Sequence, residues 1–381
     1  MLIVADENIP FAQTLFPSLG EVRTMAGRAI TPEAVRDAGM LMVRSVTRVD
    51  RALLGESRVR FVGTATIGTD HIDLDWLAER GIGFASAPGS NAESVAQYVA
   101  AALACCAGRL GRRLSECSLG IVGVGHCGGR VERIARALGL EVRLCDPPLA
   151  RQSGLEKYRP LDELLDCDFL TLHVPLTRHG EDPTWRLVDG ALMDRISPRT
   201  VIVNASRGEV VDEPALEERL AAGRLAGAVL DAWAGEPRIR LSLLRRALLG
   251  TPHIAGYSYD GKVAGARMIY EAACRHLSAP IRAPELPLPP PPVGRIELSA
   301  AHRILDSVLA ELVQTAYPIA RDGADLLACA AEDADTMASA FDRCRKSYPL
   351  RREFAATQVR LSDAPPEASQ RIRELGFTVI A

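Results

Sequence analysis

Three side chains from separate stretches of the chain share one local setting. Arg207 in NASRGEVVD, Glu236 in LDAWAGEP and His253 in GTPHIAGYS each lie in a loop that follows a short apolar run. An arginine can grip a carboxylate with two parallel hydrogen bonds, a histidine can take the proton of a hydroxyl, and a glutamate can orient the imidazole and support its charged form. As a set, these types suit oxidation of a hydroxy acid. Taken singly, each also reads as an ordinary loop residue. The stretch that strengthens the set is LGIVGVGHCGGRVERIARALGLEVRLCD, from Leu119 to Asp146. Its Gly123, Gly125 and Gly128 keep G-x-G-x-x-G spacing, which permits a tight turn, lets the backbone approach a pyrophosphate and packs a helix closely on a strand. Val131, Ile134, Ala135 and Leu138 then repeat at helical spacing, and Asp146 stands where an acid would meet a ribose hydroxyl. Strand, turn, helix, strand and acid in that order predict a dinucleotide-binding βαβ unit, with phosphate on the free N–H groups of the helix start.

Elements must carry these groups. Residues 1 to 90 alternate β-type runs (Leu2 to Ala5, Leu41 to Val43, Arg60 to Val62, Ile82 to Ala85) with helical segments such as Thr31 to Ala38, which predicts a small α/β domain. Two of its turns, Arg44-Ser45-Val46-Thr47 and the run from Gly63 to Asp70, offer hydroxyls and N–H groups at strand ends, where open parallel sheets collect ligands. An alanine-rich helix from Asn91 to Leu110 leads into the nucleotide domain, whose later strands are Phe169 to His173, Thr200 to Asn204 and Gly227 to Asp231. Residues 257 to 280 are expected to return to the first domain, giving 1–90 with 257–280 as a substrate domain and 91–256 as the nucleotide domain. A proline-rich linker over 281–293 precedes a C-terminal domain over 294–381, in which no catalytic motif is found.

Composition narrows the class. The 381 residues suffice for two or three domains, with 48% hydrophobic and 24% charged residues, close to average globular usage. No apolar run is long enough to span a bilayer, and the start MLIVADENIP lacks a basic region followed by an apolar core, so a cytoplasmic protein without membrane contact is expected. A net charge of -3 gives no pull toward nucleic acid. The nine cysteines form no C-x-x-C pair; Cys105, Cys106, Cys127 and Cys145 read as small buried hydrophobes. The seven histidines lack H-x-x-x-H spacing, and no metal site is expected.

The chain resembles the D-isomer-specific 2-hydroxyacid dehydrogenases through GIVGVGHCGGRV, Asp146, VIVNASRGEVVDEPAL, AVLDAWAGEP and TPHIAGYS. Within the family it is most similar to the branch acting on 4-phosphoerythronate, through VRSVTRV, FVGTATIGTDHID, LCDPP, HIAGYSYDGKVAGA and the residues after the proline linker. The resemblance implies an α/β fold: a Rossmann-type nucleotide domain, a flavodoxin-like substrate (lid) domain and a C-terminal α+β dimerisation domain. It also implies that Arg207 and Glu236 are catalytic and that His253 donates and accepts the proton. Ser45, Thr66 and Tyr257, with Arg44 beside Ser45, would contact substrate. Gly123, Gly125, Gly128, Asp146, Ser206, Asp231 and Gly256 would bind NAD. The implied reaction is NAD-dependent oxidation of 4-phospho-D-erythronate to 2-oxo-3-hydroxy-4-phosphobutanoate in vitamin B6 biosynthesis, by a homodimer. Two alternatives stay open: a related dehydrogenase, for example of 3-phosphoglycerate, and a NAD-sensing binding protein. One departure is Val174, where relatives often carry a hydroxyl. NAD is expected over NADP, because Asp146 would repel a 2′-phosphate and Pro147-Pro148 supply no adjacent arginine. The basic run from Arg343 to Arg352 is read either as a solvated face or as a phosphate contact in a partner's cleft.

Overall fold

The computed structural model describes residues 1–282 and 284–380. The chain divides into two compact units, Met1–Ala92 with Tyr257–Pro289, and Glu93–Gly256 with the residues from Pro290 onward.

The first unit is built on five parallel strands: β1 (Leu2–Asp6), β2 (Glu21–Met25), β3 (Ala38–Val43), β4 (Phe61–Thr64) and β5 (Gly83–Ala85), in the order β2-β1-β3-β4-β5. The inner strands are apolar on both faces, as a sheet covered on both sides requires. Edge strand β2, EVRTM, is largely exposed and lacks an apolar run, so the sequence gives little sign of it. The expected helix at Thr31 to Ala38 shrinks to Pro32–Val35, because Ala38 already opens β3 and the apolar run from Met40 to Val43 decides the conformation there. Helix Tyr259–His276 lays Ala266, Ile269 and Tyr270 against Ile3, Met40 and Met42 in one buried cluster. Burying a side chain of that size contributes about 1.5–3 kcal/mol.

The second unit contains β6 (Ser118–Val122), β7 (Glu141–Cys145), β8 (Phe169–Leu172), β9 (Val201–Asn204), β10 (Gly227–Leu230) and β11 (Leu249–Gly250). All pair in parallel in the order β7-β6-β8-β9-β10-β11, and Leu144 adds one isolated parallel bridge to Tyr158 outside β7. The chain winds one way from β6 to β7 and the other way from β8 on. Successive connections therefore part above β6 and β8, the switch point where such sheets bind ligands. After Pro290 come β12 (Arg295–Ser299), β13 (Gln358–Ser362) and β14 (Thr378–Val379), again parallel and separated by helices. Helices Ala320–Ala328 and Ala334–Lys346 send Leu326, Met337 and Phe341 into the same buried cluster as Leu230, Trp233 and Leu243. Arg371 Nε donates to the Ala137 carbonyl at 2.8 Å, and Arg133 Nη1 to the Glu374 carbonyl at 2.7 Å. Among the described residues, no helix is long and apolar enough to cross a membrane and no cluster of three His, Cys, Asp or Glu side chains could hold a metal.

Candidate active site

The glycine turn follows β6. Gly123 has φ 86°, a left-handed conformation, and a Cβ there would sit 2.8 Å from the His173 carbonyl oxygen and 2.9 Å from Val174 Cγ1. A Cβ on Gly128 would lie 2.0 Å from the Gly123 carbonyl, so the helix His126–Ala137 can press on the strand only with glycine there. Gly125 differs, because a Cβ on it would meet nothing. It caps the helix and makes no side-chain cap bond to the first-turn N–H groups. That cradle fits a pyrophosphate. Asp146 directly follows β7 and caps the helix Pro147–Ser153, with Oδ2 accepting from Val124 N at 2.7 Å and Oδ1 from Leu149 N at 2.9 Å. Two of a carboxylate's roughly four acceptor positions are thus used to aim it beside the turn. Arg143 points to another surface, held by Glu141 at 2.9 Å and Asp166 at 2.7 Å.

The three loop residues arise at successive strand ends. After β9, Asn204 organises the turn: Ser206 Oγ donates to its Oδ1 at 2.8 Å, while its Nδ2 donates to the Arg207 carbonyl at 2.9 Å. Arg207 Nη1 donates to the Ser206 carbonyl at 2.9 Å. Burial pushes the Cys127 thiol up to about 11 against the pull of Arg130 and Arg207, which sets the Arg207 charge near the glycine-turn helix. After β10, Glu236 Oε1 lies 2.5 Å from His253 Nδ1, and Glu236 Oε2 accepts from Trp233 N at 3.3 Å. Burial raises the Glu236 carboxyl, but His253, then Arg345 and the Trp233 amide, outweigh it and hold the group below its ordinary value. The Arg345 charge of the basic run therefore acts on Glu236 of its own chain.

His253 itself is strained: its φ of 54° is left-handed, a conformation that costs a non-glycine residue of order 1–3 kcal/mol. Its amide donates to the carbonyls of Asp231 at 2.9 Å and Thr251 at 3.1 Å. The fully buried Asp231 carboxylate then accepts from Thr251 Oγ1 at 2.6 Å, Ile254 N at 2.7 Å and Ala255 N at 2.8 Å. Asp231, expected among the cofactor contacts, thus spends three hydrogen bonds on the loop that presents His253 and runs to Gly256.

Two further titratable groups here were not singled out as site residues by the sequence. Glu213 is buried and accepts from Ala234 N at 2.7 Å, with Oε2 left without a hydrogen-bond partner. Burial, together with the charges of Glu209 and Glu236, pushes it up to about 7. His173, just past β8, holds Nε2 2.9 Å from Thr171 Oγ1, and burial lowers it to about 4, so it stays neutral. Glu213 lies within the stretch VIVNASRGEVVDEPAL, whereas His173 is marked only by its place at a strand end.

In the first unit, the Arg44 guanidinium lies 5.8 Å from the centre of the Tyr257 ring and the Lys262 ammonium 4.5 Å from it. Tyr257 is thus flanked by two cations, and Lys262 did not stand out in the sequence. Ser45 next to Arg44 is exposed. Thr66 Oγ1 bonds Thr64 Oγ1 at 2.7 Å and the Gly68 carbonyl at 3.0 Å, after β4.

The family described as D-isomer specific 2-hydroxyacid dehydrogenase, NAD binding domain, matches residues 96–255, and a domain of unknown function matches residues 287–376. Erythronate-4-phosphate dehydrogenase of Marinobacter nauticus is 46% identical over 99% of both chains. The Pseudomonas putida protein of that name is 46% identical over 100% of both. The chain belongs to the erythronate-4-phosphate dehydrogenase family. D-lactate dehydrogenase of Aquifex aeolicus, solved with NAD and lactic acid, shares the fold at TM-score 0.61 and 23% identity, covering 73% of this chain and 96% of its own. NAD-dependent formate dehydrogenase of Staphylococcus aureus, solved with NAD, does so at TM-score 0.61 and 24% identity, covering 74% and 97%. As a member of the erythronate-4-phosphate dehydrogenase family, the protein is an NAD-dependent oxidoreductase with a Rossmann-type nucleotide domain.

Proposed function

We propose that the protein oxidises 4-phospho-D-erythronate at C2 to 2-oxo-3-hydroxy-4-phosphobutanoate, a step of vitamin B6 biosynthesis. The carrying observation is the Glu236–His253 pair, formed in the unit that holds the glycine turn. Full-length similarity to erythronate-4-phosphate dehydrogenases supports the choice of substrate.

Gly123, Gly125 and Gly128 would cradle the pyrophosphate of NAD and Asp146 would meet its ribose, and the nicotinamide would supply the hydride acceptor for C2. Arg207 holds the C1 carboxylate, because a guanidinium fork matches it. His253 Nε2 takes the C2 hydroxyl proton, since Nδ1 is engaged with Glu236 and thereby fixed as the protonated nitrogen. Glu236, kept ionised by His253 and Arg345, balances the imidazolium that results. Such proton transfer is worth about a hundred to ten-thousandfold in rate. Asp231 serves the cofactor indirectly, by holding the loop from Thr251 to Gly256, and Ser206 shapes the neighbouring Arg207 turn. Arg44, Ser45, Thr66 and Tyr257 bind substrate, and Lys262 joins Arg44 in receiving the 4-phosphate, two cations suiting a dianion. The protein works as a cytoplasmic homodimer through residues after Gly294.

Initial rates of NADH formation over a panel test the assignment. 4-Phospho-D-erythronate is expected to exceed both unphosphorylated erythronate and 3-phosphoglycerate in kcat/KM, and 3-phosphoglycerate as the best substrate would overturn it. A purely NAD-sensing role is disfavoured by the assembled Glu236–His253 pair, and it predicts no turnover with any of the three.

A further inference from the structure

Arg351 belongs to the segment after the linker, nearly a hundred residues beyond His253 in sequence. Its Nη2 donates to the Ala255 carbonyl at 2.5 Å and to Ser94 Oγ. Ser94, in helix Ala92–Arg109, is fully buried and itself donates to the Ala255 carbonyl at 2.9 Å. The guanidinium carbon stands 4.6 Å from the Tyr317 ring centre and 6.0 Å from that of Tyr348. Both phenols donate to Asp322 Oδ2, at 2.7 and 2.9 Å, so a carboxylate, two rings and a cation form one connected network.

The far end of that network meets the loop of His253. The loop's N–H groups are taken by Asp231, through its carboxylate to Ile254 and Ala255 and through its carbonyl to His253. Asp231 thus fixes the donor side of the loop. On the acceptor side, the Ala255 carbonyl is held by Ser94 and Arg351. His253, two residues earlier, adopts a left-handed backbone and would relax if either side let go.

We propose that Arg351 is a positioning residue, which through the Ala255 carbonyl fixes the loop that aims His253 and so ties the C-terminal segment to the chemistry. A guanidinium suits this task better than an ammonium, because its weakly hydrated charge lies over the Tyr317 ring while one nitrogen serves two acceptors. The inference rests on His253 being the base in hydroxy-acid oxidation. Wild-type turnover therefore accompanies every measurement: if the wild type fails to turn over, that reading fails and not this one.

Full-length Arg351→Lys, Arg351→Ala and Ser94→Ala are to be compared for kcat, KM, NADH binding and melting temperature. In both Arg351 variants kcat should fall about ten to a hundredfold, the scale of a small misplacement of a catalytic group, with NADH affinity kept. Ser94→Ala should lose less, because Arg351 still holds the carbonyl. Guanidinium ion at low millimolar concentration should restore part of the Arg351→Ala rate and none of the Arg351→Lys rate. A packing role alone would lower the melting temperature and leave kcat of the folded protein near wild type, which overturns the proposal. Loss of NADH binding in parallel with kcat overturns it as well. If Arg351→Ala does not fold, Arg351→Lys and Ser94→Ala decide on the same criteria.

Discussion

His253 gains its role from neighbours rather than from its own type. Glu236 fixes one ring nitrogen and supplies negative charge, and Asp231 fixes the backbone behind the ring. His253→Ala should therefore lose turnover by about a hundredfold or more, the typical reach of acid–base catalysis, while NADH still binds the untouched glycine turn. Near-normal turnover would place the base elsewhere. Replacing Glu236 by Gln removes the charge that balances the imidazolium formed on proton transfer, so kcat should fall with NADH affinity kept, and an unchanged kcat would remove Glu236 from the pair. Asp146 should set the cofactor, because its carboxylate would repel a 2′-phosphate and Arg143 is engaged by Glu141 and Asp166. kcat/KM should be far higher with NAD than with NADP, and parity would contradict that assignment.

At the scale of elements, the site is a row of loops after β6, β9, β10 and β11, of which those after β9, β10 and β11 are stiffened by the buried Asn204, Glu213 and Asp231. Glu213 is the clearest case, because it braces the Glu236 loop yet is pushed up to about 7 by burial. A carboxyl raised in the folded state stabilises fully only below its ordinary value, near 4.5, and that contribution is lost as pH rises through 7. Melting of the wild type should accordingly decline between about pH 5 and pH 8 relative to Glu213→Gln, which keeps an acceptor without the charge. A constant difference across that window would show that Glu213 ionises as if exposed. Much of this was legible in the sequence, since parallel strands buried on both faces announce themselves as apolar runs, and the glycine spacing marks the turn. Less legible were the polar edge strand β2, the single-turn helix at Pro32–Val35, and the pairing of Arg44 and Lys262 about Tyr257. Those depend on tertiary neighbours, and no local period encodes them.

For the whole molecule, the C-terminal segment has more than one task to account for. Leu326, Met337 and Phe341 complete the core under the nucleotide sheet, so removing the segment would expose that core and would not yield a clean monomer. Dimerisation is better tested on the intact chain: sedimentation equilibrium at micromolar concentration should report a dimer, and a monomer there would end the proposal of a homodimer. The central claim is hydride transfer from C2 of a phosphorylated hydroxy acid to NAD. It is tested most directly with 4-phospho-D-erythronate deuterated at C2, mixed with the protein, NAD and a trap for the oxo acid product. NADH should carry one deuterium and form with a primary isotope effect on the single-turnover rate. NADH without deuterium, or no NADH from a protein that binds NAD, would contradict it.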